Sequence, residues 1–135
     1  MTRHELRYKA MTILYQAFLY DSNNIEYNID DIILEQLEED KSKFVNALVK
    51  GVIEHRVEID ELANRFLEDW DILRLGFTDQ AIIRMGIYEI LWTDTPDVTC
   101  IDEAVELAHE YSDEKVFRMI NGVLDKVYHS KENNG

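Results

Sequence analysis

Apolar residues recur every three or four positions through most of this chain, and that spacing constrains the fold more than any other feature. In the opening segment, the residues that share one side of a helix are Leu6, Ala10, Ile13, Leu14 and Ala17. No segment shows the convincing two-residue alternation of a half-buried strand. With only five Gly and one Pro, the chain also has few residues that make tight turns. The sequence therefore predicts an all-α fold.

Turn-forming and capping residues divide this pattern into about seven helices. Helical spacing covers residues 3–20, 29–37 and 44–66, and it resumes at Thr78, at Thr99 and after Asp113. Thr78 and Thr99 are the predicted caps of their helices. The long third segment has possible breaks at Gly51 and at the His55–Arg56 region. We expect one domain over residues 1–130, followed by a short polar tail over residues 131–135.

The size and composition of the chain are typical of a single globular domain. A chain of 135 residues with 46% hydrophobic residues can bury roughly two-thirds of its unfolded surface. There is no run of about 18 apolar residues and no apolar signal core, so we expect a cytoplasmic protein without membrane contact. Cys100 is the only cysteine, which excludes an internal disulfide, and its apolar neighbours predict a small buried side chain.

The formal net charge of −14 is unevenly distributed. Residues 21–40 contain eight acidic residues and neither Lys nor Arg, and a second acidic concentration runs from Asp102 to Glu114. Acidic surface slows non-specific association with nucleic acid and favours basic partners. Such charge is compatible either with a solvated surface or with a platform for a basic protein.

Sequence motifs of enzymes are missing. No glycine-rich phosphate loop, nucleophile elbow or Cys-x-x-Cys pair occurs, and the four histidines and single cysteine lack zinc spacing. Glu106 and His109 match the Glu-x-x-His pattern of di-iron helix bundles, but no second copy exists. We therefore expect no catalytic residues, no metal and no cofactor.

Two helix faces are candidates for RNA binding. On the first helix, one drifting stripe comprises Arg3, Arg7, Met11 and Tyr15, flanked by His4 and Lys9. Arginine donates to phosphate, and an exposed tyrosine can stack on an unpaired base. On the last helix, Lys115 and Arg118 lie in the first turn, where free backbone amides add donors. The alternative is that Tyr15 packs against a neighbouring helix and the cations balance acids; the pattern alone favours this alternative.

Five segments, in order, resemble the NusB family over nearly the whole chain. They are Arg3-x-x-x-Arg7-x-x-Ala10 with Leu14-Tyr15-Gln16, Phe44 to Val52, Trp70 to Leu91, Pro96 to Ala108, and Ile120 to Lys126. The resemblance implies an all-helical fold of two packed small bundles. It also implies a transcription antitermination factor that binds boxA-type single-stranded RNA with ribosomal protein NusE. That complex joins the RNA polymerase elongation complex and supports processive transcription of ribosomal RNA operons.

The resemblance also assigns roles to individual residues, and it reverses the preference against RNA binding by Tyr15. The implied RNA-binding residues are Arg3, His4, Arg7, Tyr15, Lys115, Arg118 and Met119. Asp79 occupies the position of an acidic residue that contacts NusE, which is a basic protein. We expect Gly122 to permit close approach of either a neighbouring helix or the RNA backbone, with helix packing preferred.

Three residues depart from the usual family pattern. His4 stands where a second Arg is usual, Asp102 replaces an Asn, and Met119 replaces an aromatic residue that could stack on a base. These changes predict weaker RNA binding by the isolated protein and greater dependence on the partner. An alternative hypothesis is a protein-interaction scaffold with the NusB fold and weak or no specific RNA binding.

Overall fold

A computed structural model describes residues 1–38, 41–68 and 70–134, the last three without their side chains. Within those ranges all regular structure is helical. The seven α-helices are α1 (Arg3–Ser22), α2 (Ile29–Leu37), α3 (Lys43–Glu54), α4 (Arg56–Phe66), α5 (Phe77–Trp92), α6 (Asp97–Tyr111) and α7 (Glu114–Asn134). A short 3-10 helix covers Ile72–Arg74. The predicted all-α class and helix number are confirmed; Glu39 and Asp40 of the acidic segment, and Gly135 of the expected tail, lie outside the described residues.

Side-chain caps account for several helix starts. Thr2, Asn28 and Ser42 each accept a hydrogen bond from the backbone N–H three residues later, at the beginning of α1, α2 and α3. Asp113 accepts from the Val116 N–H in the same way at the start of α7. These caps satisfy amides that would have no partner within the helix.

Several predicted boundaries differ from the observed ones. Helix α5 begins at Phe77 after Gly76, and α6 begins at Asp97 after Pro96, so neither Thr78 nor Thr99 is the cap. Proline fixes φ near the helical value and needs no amide partner, which allows α6 to start early. The break in the third segment lies at His55 and not at Gly51. Helix α7 continues through residues 131–134, which the sequence analysis assigns to a tail.

Helix α5 lies at the centre of the fold. It packs against α1, α3, α4, α6 and α7, while α1 also packs on α2 and α3, and α6 on α7. Ten of its residues are buried, including Arg84 and Glu89. The Arg84 guanidinium binds both carboxylate oxygens of Asp60 on α4, at 2.7 and 2.9 Å. Central burial explains why α5 is apolar on most of its sides.

Cys100 is buried as expected, and burial raises its thiol pKa to about 12, which makes it unreactive at neutral pH. A Cβ placed on Gly122 of α7 would meet nothing within 4 Å, so the preferred explanation by helix packing is wrong. No helix in the described ranges combines the length and apolarity needed to cross a membrane.

Candidate nucleic-acid interface

Arg7 lies inside the fold. Its Nε and Nη2 donate to Oε1 and Oε2 of Glu89 on α5, at 2.9 and 2.8 Å. Both side chains are 5% exposed, and the hydrogen bonds to Glu89 raise the pKa of Arg7. A phosphate would have to displace this buried carboxylate. Arg7 is therefore buried, although the sequence pattern places it on the RNA-binding surface.

Arg3 remains accessible on the same helix. Its guanidinium carbon lies 4.2 Å from the ring centre of Phe44 on α3, and Arg3 is exposed. Stacking on the ring restrains the guanidinium plane and leaves its edge free to donate to an oxyanion. Arg3 thus has the geometry of a phosphate-binding residue, although it faces α3 on a different side of α1 from Tyr15.

His4 joins the beginning of α1 to α6. Its Nδ1 lies 3.0 Å from Glu103 and its Nε2 lies 3.0 Å from Glu110, with Glu106 3.9 Å from Nδ1. A neutral imidazole has only one N–H, so two carboxylates at hydrogen-bond distance favour the protonated ring. The pKa of His4 is accordingly raised, mainly by the hydrogen bond to Glu103. Both ring nitrogens of His4 are therefore already occupied by carboxylates of α6.

Tyr15 is 42% exposed, so part of its side chain is accessible at the surface even though it packs against a neighbouring helix. Its ring makes an edge contact with Phe77 of α5, with ring centres 5.9 Å apart. It borders a cavity of about 560 Å³ between α1, α2, α5 and α6. Tyr8 and Tyr111 also line this cavity and stack on each other, with ring centres 5.2 Å apart.

The pair formed by Tyr8 and Tyr111 is not among the residues predicted from the sequence. Tyr8 and Tyr15 are seven residues apart, which places them on one side of α1, and this spacing could have revealed half of the arrangement. Nothing in the spacing of Tyr111, which belongs to α6, predicts that it meets Tyr8.

The first turns of α7 present the other predicted cations. Lys115 and Arg118 are both exposed, and Arg118 donates to Glu114 at 2.7 Å. Lys115 makes no ion pair within the part of the chain that the structure describes. Met119 is only partly exposed because it packs against the core, while Gly122 is open to solvent one turn further along. This segment therefore offers one unpaired cation, one paired cation and a bare stretch of backbone.

Asp79 lies in the first turn of α5, and Ser112 Oγ donates to its Oδ1. The carboxylate is partly buried, and burial raises its pKa above the usual value despite the hydrogen bond from Ser112. Because Ser112 is two residues before the start of α7, Asp79 lies next to the connection that leads into the helix of Lys115 and Arg118. The acidic side chain proposed for partner contact is thus adjacent to the basic turn proposed for RNA contact.

Metal binding has one geometric candidate among the described residues. Ligand atoms of His4, Glu106 and Glu110 lie within 4.8 Å of one another. The contacts of His4 already account for this convergence, because its two ring nitrogens lie 3.9 Å from Glu106 and 3.0 Å from Glu110. The Glu106-x-x-His109 pattern is not assembled, since His109 instead contacts the ring of Phe117.

The structure therefore brings together part of the predicted surface. Tyr15, Asp79 and the basic turn of α7 lie around the carboxyl end of α6, where Tyr111 and Ser112 contact α1 and α5. His4 also contacts α6, through Glu103. Arg3 and Arg7 instead contact Phe44 of α3.

Comparison with known proteins gives a consistent result. The sequence model of the NusB family matches residues 4–129. The transcription antitermination protein NusB of Campylobacter jejuni (strain RM1221) is 38% identical over 132 residues, which is 97% of this chain and 98% of that protein. Among solved structures, T. maritima NusB superimposes with a TM-score of 0.84 at 29% identity, covering 96% of this chain and 92% of that one. A crystal structure of antitermination factors NusB and NusE in complex with dsRNA gives a TM-score of 0.78 at 27% identity, covering 96% and 99%.

Proposed function

Because the chain belongs to the NusB family, we propose that it is a transcription antitermination factor that binds boxA-type single-stranded RNA together with ribosomal protein NusE. In this role it joins the RNA polymerase elongation complex in the cytoplasm and supports processive transcription of ribosomal RNA. The likeness to a NusB–NusE–RNA complex supports both partners.

The arrangement around the carboxyl end of α6 carries this proposal. Exposed Tyr15 offers a stacking face, and Lys115 and Arg118 offer charge at the amino end of α7. Free amides at a helix start add further donors for phosphate oxygens. The combination of a stacking ring and a local cationic turn is what single-stranded RNA requires.

The net charge of −14 makes the partner necessary. Five basic residues are proposed to contact RNA, but Arg7 is buried and both ring nitrogens of His4 face carboxylates of α6. The remaining charge is small, so the affinity of the protein alone should be low. A basic partner held near Asp79 would neutralise acidic surface and extend the positive surface presented to RNA.

A scaffold without specific RNA binding is the second candidate. The observation in its favour is the ion pair between Arg118 and Glu114, which leaves Lys115 as the unpaired cation of the α7 turn among the described residues. This candidate predicts binding to NusE with no preference for a boxA-type sequence.

A titration separates the two candidates. A boxA-type single strand and a scrambled strand are titrated with the NusE complex at two salt concentrations. We expect specific binding, with Lys115→Ala reducing affinity and flattening the log–log salt slope by about 0.7 per lost phosphate contact. Arg65→Ala, an exposed cation on α4, is the matched control and should leave both unchanged. Equal affinity for the two strands would support the scaffold.

A further inference from the structure

The cavity beside Tyr15 has the size and wall chemistry of a ligand site. Its volume of about 560 Å³ lies within the range of roughly 300–1,000 Å³ common for pockets that hold small groups. Ten side chains line it, and they include Tyr8, Tyr15, Tyr20 and Tyr111. Four of these ten are tyrosines, and none of the ten is charged.

Two polar side chains of the lining, Gln36 and Thr78, are free to bind an occupant. Gln16 donates to the hydroxyl of Tyr20 at 2.9 Å, and Thr12 donates to a backbone carbonyl. Gln36 and Thr78 make no side-chain hydrogen bond within the described part of the chain. An amide carries both donors and an acceptor, so Gln36 can pair with the edge of a planar heterocycle.

We propose that this tyrosine pocket holds one unstacked base of the bound RNA. The pocket is continuous with the proposed RNA surface because Tyr15 belongs to both. The base would stack on the tyrosine faces, with Gln36 and Thr78 contacting its polar edge. The inference rests on the proposed function and adds that one nucleotide is recognised through its base rather than its phosphate.

The lining favours a base over a side chain of the basic partner. A lysine or arginine entering the pocket would lose water without meeting a carboxylate, because no acidic side chain lines it. A neutral aromatic heterocycle loses far less on entry and gains stacking contacts. Asp79 stands next to Thr78 but bonds to Ser112 outside the lining.

A coupling experiment tests the assignment in the complete complex with NusE. A boxA-type strand is prepared with an abasic site at each position in turn, and each strand is titrated against wild type, Tyr111→Ala and Gln36→Ala. Trp70→Ala serves as the control because Trp70 is exposed and lies outside the pocket. We expect one abasic position to lower wild-type affinity on the order of 5- to 100-fold, as expected for loss of one base–aromatic stack. At that position Tyr111→Ala should cost little more, because the group it contacts is already gone.

Three outcomes would overturn the assignment. If specific RNA binding survives but no abasic position is coupled to Tyr111 and Gln36, the pocket holds no base. If Tyr111→Ala weakens binding of NusE in the absence of RNA by the same factor, the occupant is a protein side chain. If the complex shows no preference for the boxA-type strand, the proposed function itself fails and the base pocket with it. Circular dichroism of each variant checks that the helices remain folded.

Discussion

Arg7 and Glu89 form a two-pronged ion pair across the interface of α1 and α5, with oxygen–nitrogen distances of 2.9 and 2.8 Å. Both side chains are buried, so each charge depends on the other for the hydrogen bonds it lost on leaving water. The pair joins residues that are 82 positions apart in the chain. Arg7 belongs to the predicted RNA-binding stripe, but through this pair it contributes to the stability of the fold.

We expect Arg7→Met to lower the free energy of unfolding by about 3–5 kcal/mol, because Glu89 would remain buried without its partner. The double variant Arg7→Met with Glu89→Leu should regain much of this loss, since no buried charge is left unpaired. Urea unfolding followed by circular dichroism measures both. A double variant as unstable as the sum of the single variants would contradict the interpretation.

A second prediction concerns pH and His4. Because the folded-state pKa of His4 is raised, its ion pairs stabilise the fold fully below about pH 6.5, and that stabilisation is lost as pH rises through the folded pKa. Against His4→Gln, wild type should lose roughly 0.2–1 kcal/mol of unfolding free energy over this rise, since the ring is partly exposed. Parallel stability curves for the two proteins between pH 5.5 and 9, measured in urea, would refute it.

Asp79 gives a third prediction, in which stability and binding change in opposite directions. Burial raises its pKa, so the ionised carboxylate at neutral pH opposes folding, and this cost disappears as pH falls through the folded pKa. Asp79→Asn keeps an oxygen for Ser112 and should raise the melting temperature of the isolated protein. The same change should weaken NusE binding about tenfold, the effect of roughly 1.4 kcal/mol.

Calorimetric titration with NusE and thermal unfolding of the free protein measure the two effects of Asp79→Asn. Asp71→Asn is the control, because Asp71 is exposed on the connection before α5. A variant that binds NusE normally would remove Asp79 from the proposed partner contact.

A fourth prediction contrasts two glycines. An added Cβ on Gly51 would lie 2.1 Å from the ring of Tyr88, whereas one on Gly122 would meet nothing within 4 Å. Gly51→Ala should therefore destabilise the fold by at least about 1–3 kcal/mol through overpacking. Gly122→Ala should instead stabilise α7 by about 0.5–1 kcal/mol, because alanine loses less backbone entropy in a helix. Thermal unfolding of the two variants measures both changes in stability. A change in the same direction for both variants would contradict the structure.

RNA affinity gives Gly122→Ala a second measurement. If the RNA backbone approaches α7 closely, the stabilised variant should bind the boxA-type strand less tightly in the NusE complex. Unchanged affinity would leave Gly122 without a role in the interface.

Local pattern was sufficient to predict the helices, because one apolar side repeats along each of them. The start of α5 at Phe77 and of α6 at Asp97 escaped prediction, since backbone geometry rather than a side-chain cap begins these helices. Helix order also follows from the sequence, whereas the partner of each polar side chain does not.

In the candidate site, too, some features could be predicted from the sequence and others could not. Tyr15 and Lys115 are exposed as the functional interpretation requires, and both could be placed on helix faces from spacing alone. The burial of Arg7 could not be predicted, because its position at the edge of the apolar side is equally compatible with exposure and with burial against Glu89. The pairs of His4 with Glu103 and of Tyr8 with Tyr111 depend on how α1 crosses α6, which residue spacing does not encode.

The link between α6 and α7 is only two residues long, Ser112 and Asp113, and each end of it is held. Ser112 donates a hydrogen bond to Asp79, and Asp113 caps the helix that carries Lys115. We therefore expect a protein that displaces Asp79 to shift the start of α7 as well, because Ser112 and Asp113 are consecutive residues. Thermodynamic linkage makes such an effect reciprocal. RNA would raise the affinity for the protein partner by the same factor by which that partner raises the affinity for RNA.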